Sequence, residues 1–195
     1  PVFAEMGSTN PIFLLPEKIK NESSNLATQL ANSVNLGAGQ FCTNPGLLVL
    51  IEDENTNEFI ENLKKAFEEL VPSTMLNEGI FRNFEKGKNH CLNTNGVHSE
   101  CTHSPLENCK GYHAVASVDA QTFLAKEDLH EEVFGPFTLV IKCQNKAEME
   151  AVANNLKGQL TATLMHTSDE ISNWKNLFQI LQEKVGRLIF NGVPT

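Results

Sequence analysis

Cys42 stands in the stretch GAGQFCTNPG, residues 37–46, between a helical pattern and an apolar run. Gly37 and Gly39 permit backbone shapes closed to other residues, and Pro45 and Gly46 fix the exit. A thiol on such a turn can face a cleft with backbone N–H groups beside it. Those groups favour the thiolate, the nucleophilic form of a group whose free pKa is about 8.5. The competing reading is a small buried hydrophobe, the commoner fate of cysteine. Local composition leaves both open.

Two further stretches carry acids. Glu5 lies in AEMGSTNP at the end of a strand-like run. A carboxylate there can act as a general base if burial raises its pKa, although a solvated edge residue is the plainer reading. EEVFGPF, residues 131–137, sets Glu131 and Glu132 before a Phe-Gly-Pro turn. By itself it reads as an acidic loop feeding a strand.

Cys91, His98, Cys101, His103 and Cys109 are spaced C-x6-H-x2-C-x-H-x5-C. This matches no standard zinc spacing, so a surface loop is expected and no metal ligand is assigned. GAGQFC departs from a G-x-G-x-x-G phosphate loop at its third glycine and follows a helix where a strand is required. Neither a G-x-S-x-G elbow nor H-E-x-x-H occurs.

The elements that must position these residues alternate. Apolar or β-branched runs at 11–15, 46–52, 113–119, 137–143, 160–166 and 186–191 read as strands. Helical periodicity covers 17–36, 56–71, about 145–157 and 169–184, and another helix is expected from 73 into the eighties. Residues 87–112 are rich in Gly, Asn, Ser and Pro and read as loop. The pattern predicts an α/β fold, a mostly parallel open sheet flanked by helices. In such sheets a ligand cleft is expected outside the carboxyl ends of the strands, with Glu5 and Cys42 facing it together.

The 195 residues suit one domain and 41% of them are hydrophobic. A net charge of −9 without a basic cluster disfavours nucleic acid and anionic membranes as partners. No apolar run approaches the ~20 residues of a membrane span, and the opening residues carry no signal-peptide pattern. Five cysteines without scaffold spacing suggest reduced thiols and a cytoplasmic location. The chain opens and closes on strand-like runs, as expected of part of a longer protein.

Three of these stretches, in order, resemble the aldehyde dehydrogenases. EMGSTNP resembles their Glu-Leu-Gly-Gly-Lys-x-Pro segment, GQFCTNPG their Gly-Gln-x-Cys-Thr segment, and EEVFGPF their Glu-Glu-Ile-Phe-Gly-Pro segment. PIFLLPE, LGAGQFCTNPG and the closing GRLIFNGVPT are similar to the branch acting on α-ketoglutaric semialdehyde. The resemblance covers essentially the whole chain. It implies that residues 1–195 are a catalytic domain, with the Rossmann-type NAD(P)-binding domain and oligomerisation segments elsewhere in a homo-oligomeric protein. It implies that Cys42 is the nucleophile, forming a thiohemiacetal and then a thioester, and that Glu5 is the base for hydrolysis. Glu132 would hold the nicotinamide-side ribose and Phe134 would pack near the nicotinamide. The Cys42 N–H would supply half of an oxyanion hole whose other half, an Asn side chain, belongs to the cofactor domain. On this view residues 1–195 alone are inactive. Thr9 departs from the family pattern, standing where many members carry Lys.

Two alternatives remain beside this reading. One is a cysteine-dependent acyl-transfer enzyme or hydrolase that uses Cys42 without a nicotinamide. The other is a non-catalytic module whose 91–109 segment binds a metal or a partner.

Overall fold

The computed structural model describes residues 7–103 and 109–195. Their order is β1 (Ile12–Leu14), α1 (Pro16–Asn35), β2 (Leu47–Ile51), α2 (Thr56–Glu68), β3 (Ser73–Thr74), α3 (Glu78–Asn93), β4 (His98–Thr102), β5 (Lys110–Gly111), β6 (Ala114–Asp119), α4 (Ala120–Ala125), β7 (Phe137–Cys143), α5 (Lys146–Asn155), β8 (Gln159–Met165), α6 (Lys175–Lys184) and β9 (Val185–Phe190). The main sheet runs β4-β6-β7-β2-β1-β8-β9. All its pairings are parallel except that of edge strand β4 with β6. The expected mostly parallel sheet is therefore present.

Side chains alternate across it, as the pleat requires. Phe13, Leu47, Val49, Leu139 and Ile141 face one core with Phe84 of α3, Phe123 of α4, Val152 of α5 and Leu181 of α6. Ile12, Leu14, Leu48, Leu50 and Val140 face the other, against α1 and α2. Both faces are covered, which explains why the strands read as nearly unbroken apolar runs. The face of α2 puts Phe59, Leu63 and Phe67 in that second core, each fully buried. Truncating Leu63 to Ala there costs about 2–5 kcal/mol.

Helix starts follow local chemistry. Pro16 opens α1, where its missing N–H costs nothing. Asn77, Asp119 and Asn145 cap α3, α4 and α5 by accepting from the N–H groups of Ile80, Thr122 and Glu148. Two expectations are corrected. The helix expected from 73 begins at Glu78, after the short strand β3. Residues 87–112 are more than loop, because α3 continues to Asn93 and β4 and β5 follow. Their polar composition belongs to a half-exposed helix and an edge strand, positions where apolar periodicity is weak.

Candidate active site

The segments carrying the three motifs gather at one end of the central strands, but at the opposite end from the one expected. Residues 7–11 lead into β1, residues 37–46 into β2 and residues 131–136 into β7. Each loop precedes a parallel strand, so all three lie at the amino ends. The cleft rule for open α/β sheets does not hold in this fold. Connectivity decides: an order of helix, cysteine turn, strand can only place the turn where the strand begins.

The approach to Cys42 is unusual backbone. Gly37, Ala38 and Gly39 have φ of 58°, 56° and 65°. For Ala38 this left-handed conformation costs about 1–2 kcal/mol. Gly39 is required for a second reason: a Cβ there would lie 2.2 Å from the Gly135 carbonyl carbon. The chain then enters a turn closed by Asn44 N–H donating to Phe41 O at 3.0 Å. Cys42 takes the second position of that turn, exposed, with an N–H the turn itself does not use.

Buried amides fix this turn to its neighbours. Asn10 is fully buried with φ 43°. Its Nδ2 donates to Cys42 O at 2.9 Å and to Asn44 O at 3.0 Å. Its Oδ1 accepts from Ser8 Oγ and Thr161 Oγ1. Asn44 Nδ2 donates to Gly135 O at 3.0 Å, tying the cysteine turn to the Phe-Gly-Pro loop. Gln159 Oε1, at the start of β8, accepts from the N–H groups of Thr9 and Asn10 at 2.7 and 3.2 Å. Sequence reasoning did not single out Asn10, Asn44 or Gln159. Two of them stand inside the quoted motifs, so the available signal was an amide embedded in an otherwise apolar or turn-forming stretch.

Glu132 and Phe134 sit on the loop that Asn44 holds. Both line a cavity of about 80 Å³, whose walls also include Thr9, Asn44, Cys91 and Leu129. Phe134 is 37% exposed, unlike the fully buried Phe13 and Phe84. Its loop turns sharply at Gly135, where a Cβ would meet the Phe84 ring at 2.2 Å. The Glu132 carboxylate is close to Gly7: a Cβ on Gly7 would lie 3.3 Å from Oε2. It also lines an open depression with Gly7, Lys157 and Gln159. The cysteine turn contributes Asn44 and Gly46 to the cavity wall, whereas Cys42 stands on the turn's exposed side. Glu5 lies outside the described residues.

The remaining thiols differ from Cys42. Cys91, Cys101 and Cys143 are buried. Burial, aided by Asp128, pushes the Cys91 thiol up to about 12. Burial and Glu148 do the same at Cys143, again to about 12. Burial also raises Cys101, with Glu68 adding to the effect. Of the Cys/His-rich segment, the structure brings Cys101 and His103 together, and adds His113. Cys91 is in the α3 core and His98 is exposed at the start of β4.

Comparison with known proteins agrees with the motifs. A model described as "Aldehyde dehydrogenase family" matches residues 1–195. "Alpha-ketoglutaric semialdehyde dehydrogenase 2" of Azospirillum brasilense is 36% identical over 196 residues, covering 100% of this chain and 37% of the relative. "Alpha-ketoglutaric semialdehyde dehydrogenase" of Acinetobacter baylyi is 34% identical over 199 residues, covering 100% and 38%. This chain thus spans under two-fifths of the length of either relative. Among solved structures, glyceraldehyde-3-phosphate dehydrogenase GapN from Methanocaldococcus jannaschii, complexed with NADP, superposes with a TM-score of 0.74 at 21% identity. That match covers 97% of this chain and 41% of the other. No helix among the described residues is long and apolar enough to cross a membrane.

Proposed function

The chain belongs to the aldehyde dehydrogenase family, and from that premise we propose that it is the catalytic domain of an NAD(P)-dependent enzyme oxidising an aldehyde to a carboxylic acid. The substrate class is a semialdehyde such as α-ketoglutaric semialdehyde, supported by the 36% and 34% identity along the whole chain.

The observation that carries this reading is the junction of two loops. The exposed Cys42 turn is bonded through Asn44 to the loop bearing Glu132 and Phe134. Cys42 Sγ, as thiolate, adds to the aldehyde carbon. The oxygen that gains charge faces the Cys42 N–H, one donor of an oxyanion hole. After oxidation the acyl group remains on Cys42 as a thioester. Glu5 takes a proton from the water that attacks it, releasing the acid and the free thiolate.

The residues present suit a nicotinamide cofactor. The half-exposed Phe134 ring offers an apolar face to the planar ring, and the Glu132 carboxylate offers acceptors to ribose hydroxyls. The chemistry that the cofactor supplies when bound is hydride acceptance. The full-length protein is taken to be a cytoplasmic homo-oligomer.

The test uses the intact protein with α-ketoglutaric semialdehyde and either NAD or NADP. Reduced nicotinamide is expected, lost in Cys42→Ala. Glu5→Gln is expected to stop after one acylation, visible as a mass adduct on Cys42. Turnover that survives Cys42→Ala overturns the reading, and acid formed without nicotinamide favours a hydrolase.

A further inference from the structure

A second cluster with reactive residue types lies apart from the Cys42 turn, at the start of β6. β4 and β6 are antiparallel, with Cys101 opposite Val115 and Thr102 opposite Ala114. Continuing that register by one pair sets His103 opposite His113. In a pleated pair, residues two apart on one strand share a face with their opposite partners. Cys101, His103 and His113 therefore converge on one face, beside Phe67 of α2.

The side chains bear this out. One ligand atom from each of the three lies within 4.8 Å of the other two. Cys101 Sγ is 3.9 Å from His103 Nε2. A tetrahedral zinc with Zn–S near 2.3 Å and Zn–N near 2.0 Å would need about 3.5 Å there, a shift of a few tenths of an ångström. His103 and His113 stand edge to face with ring centres 5.1 Å apart.

His113 supplies the independent sign of a ligand. It is 2% exposed, and both its ring nitrogens are buried without a hydrogen-bond partner. A buried imidazole normally pairs at least one nitrogen, because an unmet donor or acceptor in a dry site is costly. Here burial, with His103 and Lys88 adding to it, keeps the ring neutral, pushing its pKa down to about 4. Neutral is the form that binds a metal.

We propose that Cys101, His103 and His113 form a zinc site that ties edge strand β4 to the start of β6. Two imidazole nitrogens and one thiolate suit a borderline-soft cation. Binding forms one Zn–S and two Zn–N bonds and releases the Cys101 thiol proton to solvent, with no change of oxidation state. Water or an incoming donor takes the fourth position. The charged groups acting on the site are Lys88 near His113, and Glu68 and Lys64 near Cys101. Zinc offsets the raised thiol pKa, since a coordinated thiol is deprotonated outright. The standard sequence spacings did not reveal the site because His113 is brought in by strand pairing.

Cobalt(II) is the probe, because its thiolate charge-transfer band reports a Co–S bond directly. The protein, stripped with chelator and titrated, is expected to take one cobalt per chain and to lose it to zinc. Cys101→Ser removes the band, and Cys42→Ser leaves it. His103→Gln, at an exposed position that does not endanger folding, weakens cobalt binding roughly tenfold or more with unchanged circular dichroism. A band that survives Cys101→Ser, vanishes in Cys42→Ser, is indifferent to His103→Gln, or never reaches one cobalt per chain overturns the proposal.

Discussion

Asn10 and Cys42 are 32 positions apart, yet the buried Asn10 amide donates to the Cys42 carbonyl oxygen at 2.9 Å. The same nitrogen reaches Asn44 O at 3.0 Å. One buried side chain thus binds two carbonyls of the turn that presents the thiol. Asn10→Gly tests this cleanly, because glycine accepts the φ of 43° and removes only the amide. Loss of about 1–3 kcal/mol is expected in denaturant unfolding. On the proposed function, a turn misplaced by about 1 Å in the intact protein would lower kcat by about 10²-fold. Unchanged unfolding and unchanged kcat would show that the turn does not depend on Asn10.

Two glycines predict opposite signs. A methyl on Gly39 would lie 2.2 Å from the Gly135 backbone, at φ 65°. Neither backbone can retreat without parting the two motif loops. Gly39→Ala is therefore expected to cost more than about 3 kcal/mol, beyond the usual range for a point change. Gly87 sits inside α3, and a methyl there would meet Val133 at 3.5 Å, an ordinary contact. Gly87→Ala is expected to be neutral or to stabilise by up to about 1 kcal/mol through helix propensity. Urea midpoints of the two variants check both signs.

The contrast shows what the sequence made legible. Strand β2 announced itself because both faces are buried and its residues, LLVLI, are uniformly apolar, while β7 and β8 showed as apolar or β-branched runs broken by few polar residues. β4, at the edge, carries His98, Ser99 and Glu100 and was hidden by its polarity. Cys42 was visible as a turn residue between a helix and a strand, and that order already implied the amino ends of the sheet. The general rule about carboxyl ends outweighed it wrongly. Gly39 read as conformational freedom, whereas its role includes contact with Gly135, a residue 96 positions away. Asn10 and Asn44 act through partners distant in sequence, so their place inside the motifs marks them only as embedded amides and does not reveal what they bind.

Glu132 provides a test of the cofactor side. Its carboxylate borders the cavity and the Gly7 backbone, on the loop that Asn44 fastens. Glu132→Gln keeps the shape and removes the charge. A charge-assisted hydrogen bond to a ribose hydroxyl is worth about 1.5–3 kcal/mol. Reduced-nicotinamide affinity in the intact protein, followed by fluorescence titration, is expected to fall by roughly tenfold or more. The rate of Cys42 alkylation should be unaffected. Equal cofactor affinity in both proteins would remove Glu132 from the cofactor site.

Thiol labelling separates the five cysteines without any substrate. Alkylation follows the thiolate and its exposure. Cys42 is exposed, Cys109 is half-buried, and Cys91, Cys101 and Cys143 are buried. Burial, with Asp128 at Cys91 and Glu148 at Cys143, holds those two thiols up at about 12. At pH 9 only about 10⁻³ of each is thiolate, so raising the pH from 7 to 9 should leave them unlabelled in the native protein. Iodoacetamide is expected to modify Cys42 first, Cys109 more slowly, and the other three only after unfolding in urea. Peptide mass mapping over a time course reads the order. Native labelling of Cys91 or Cys143 at pH 9, in step with Cys42, would mean that the cores beneath α3 and α5 open far more readily than their packing implies.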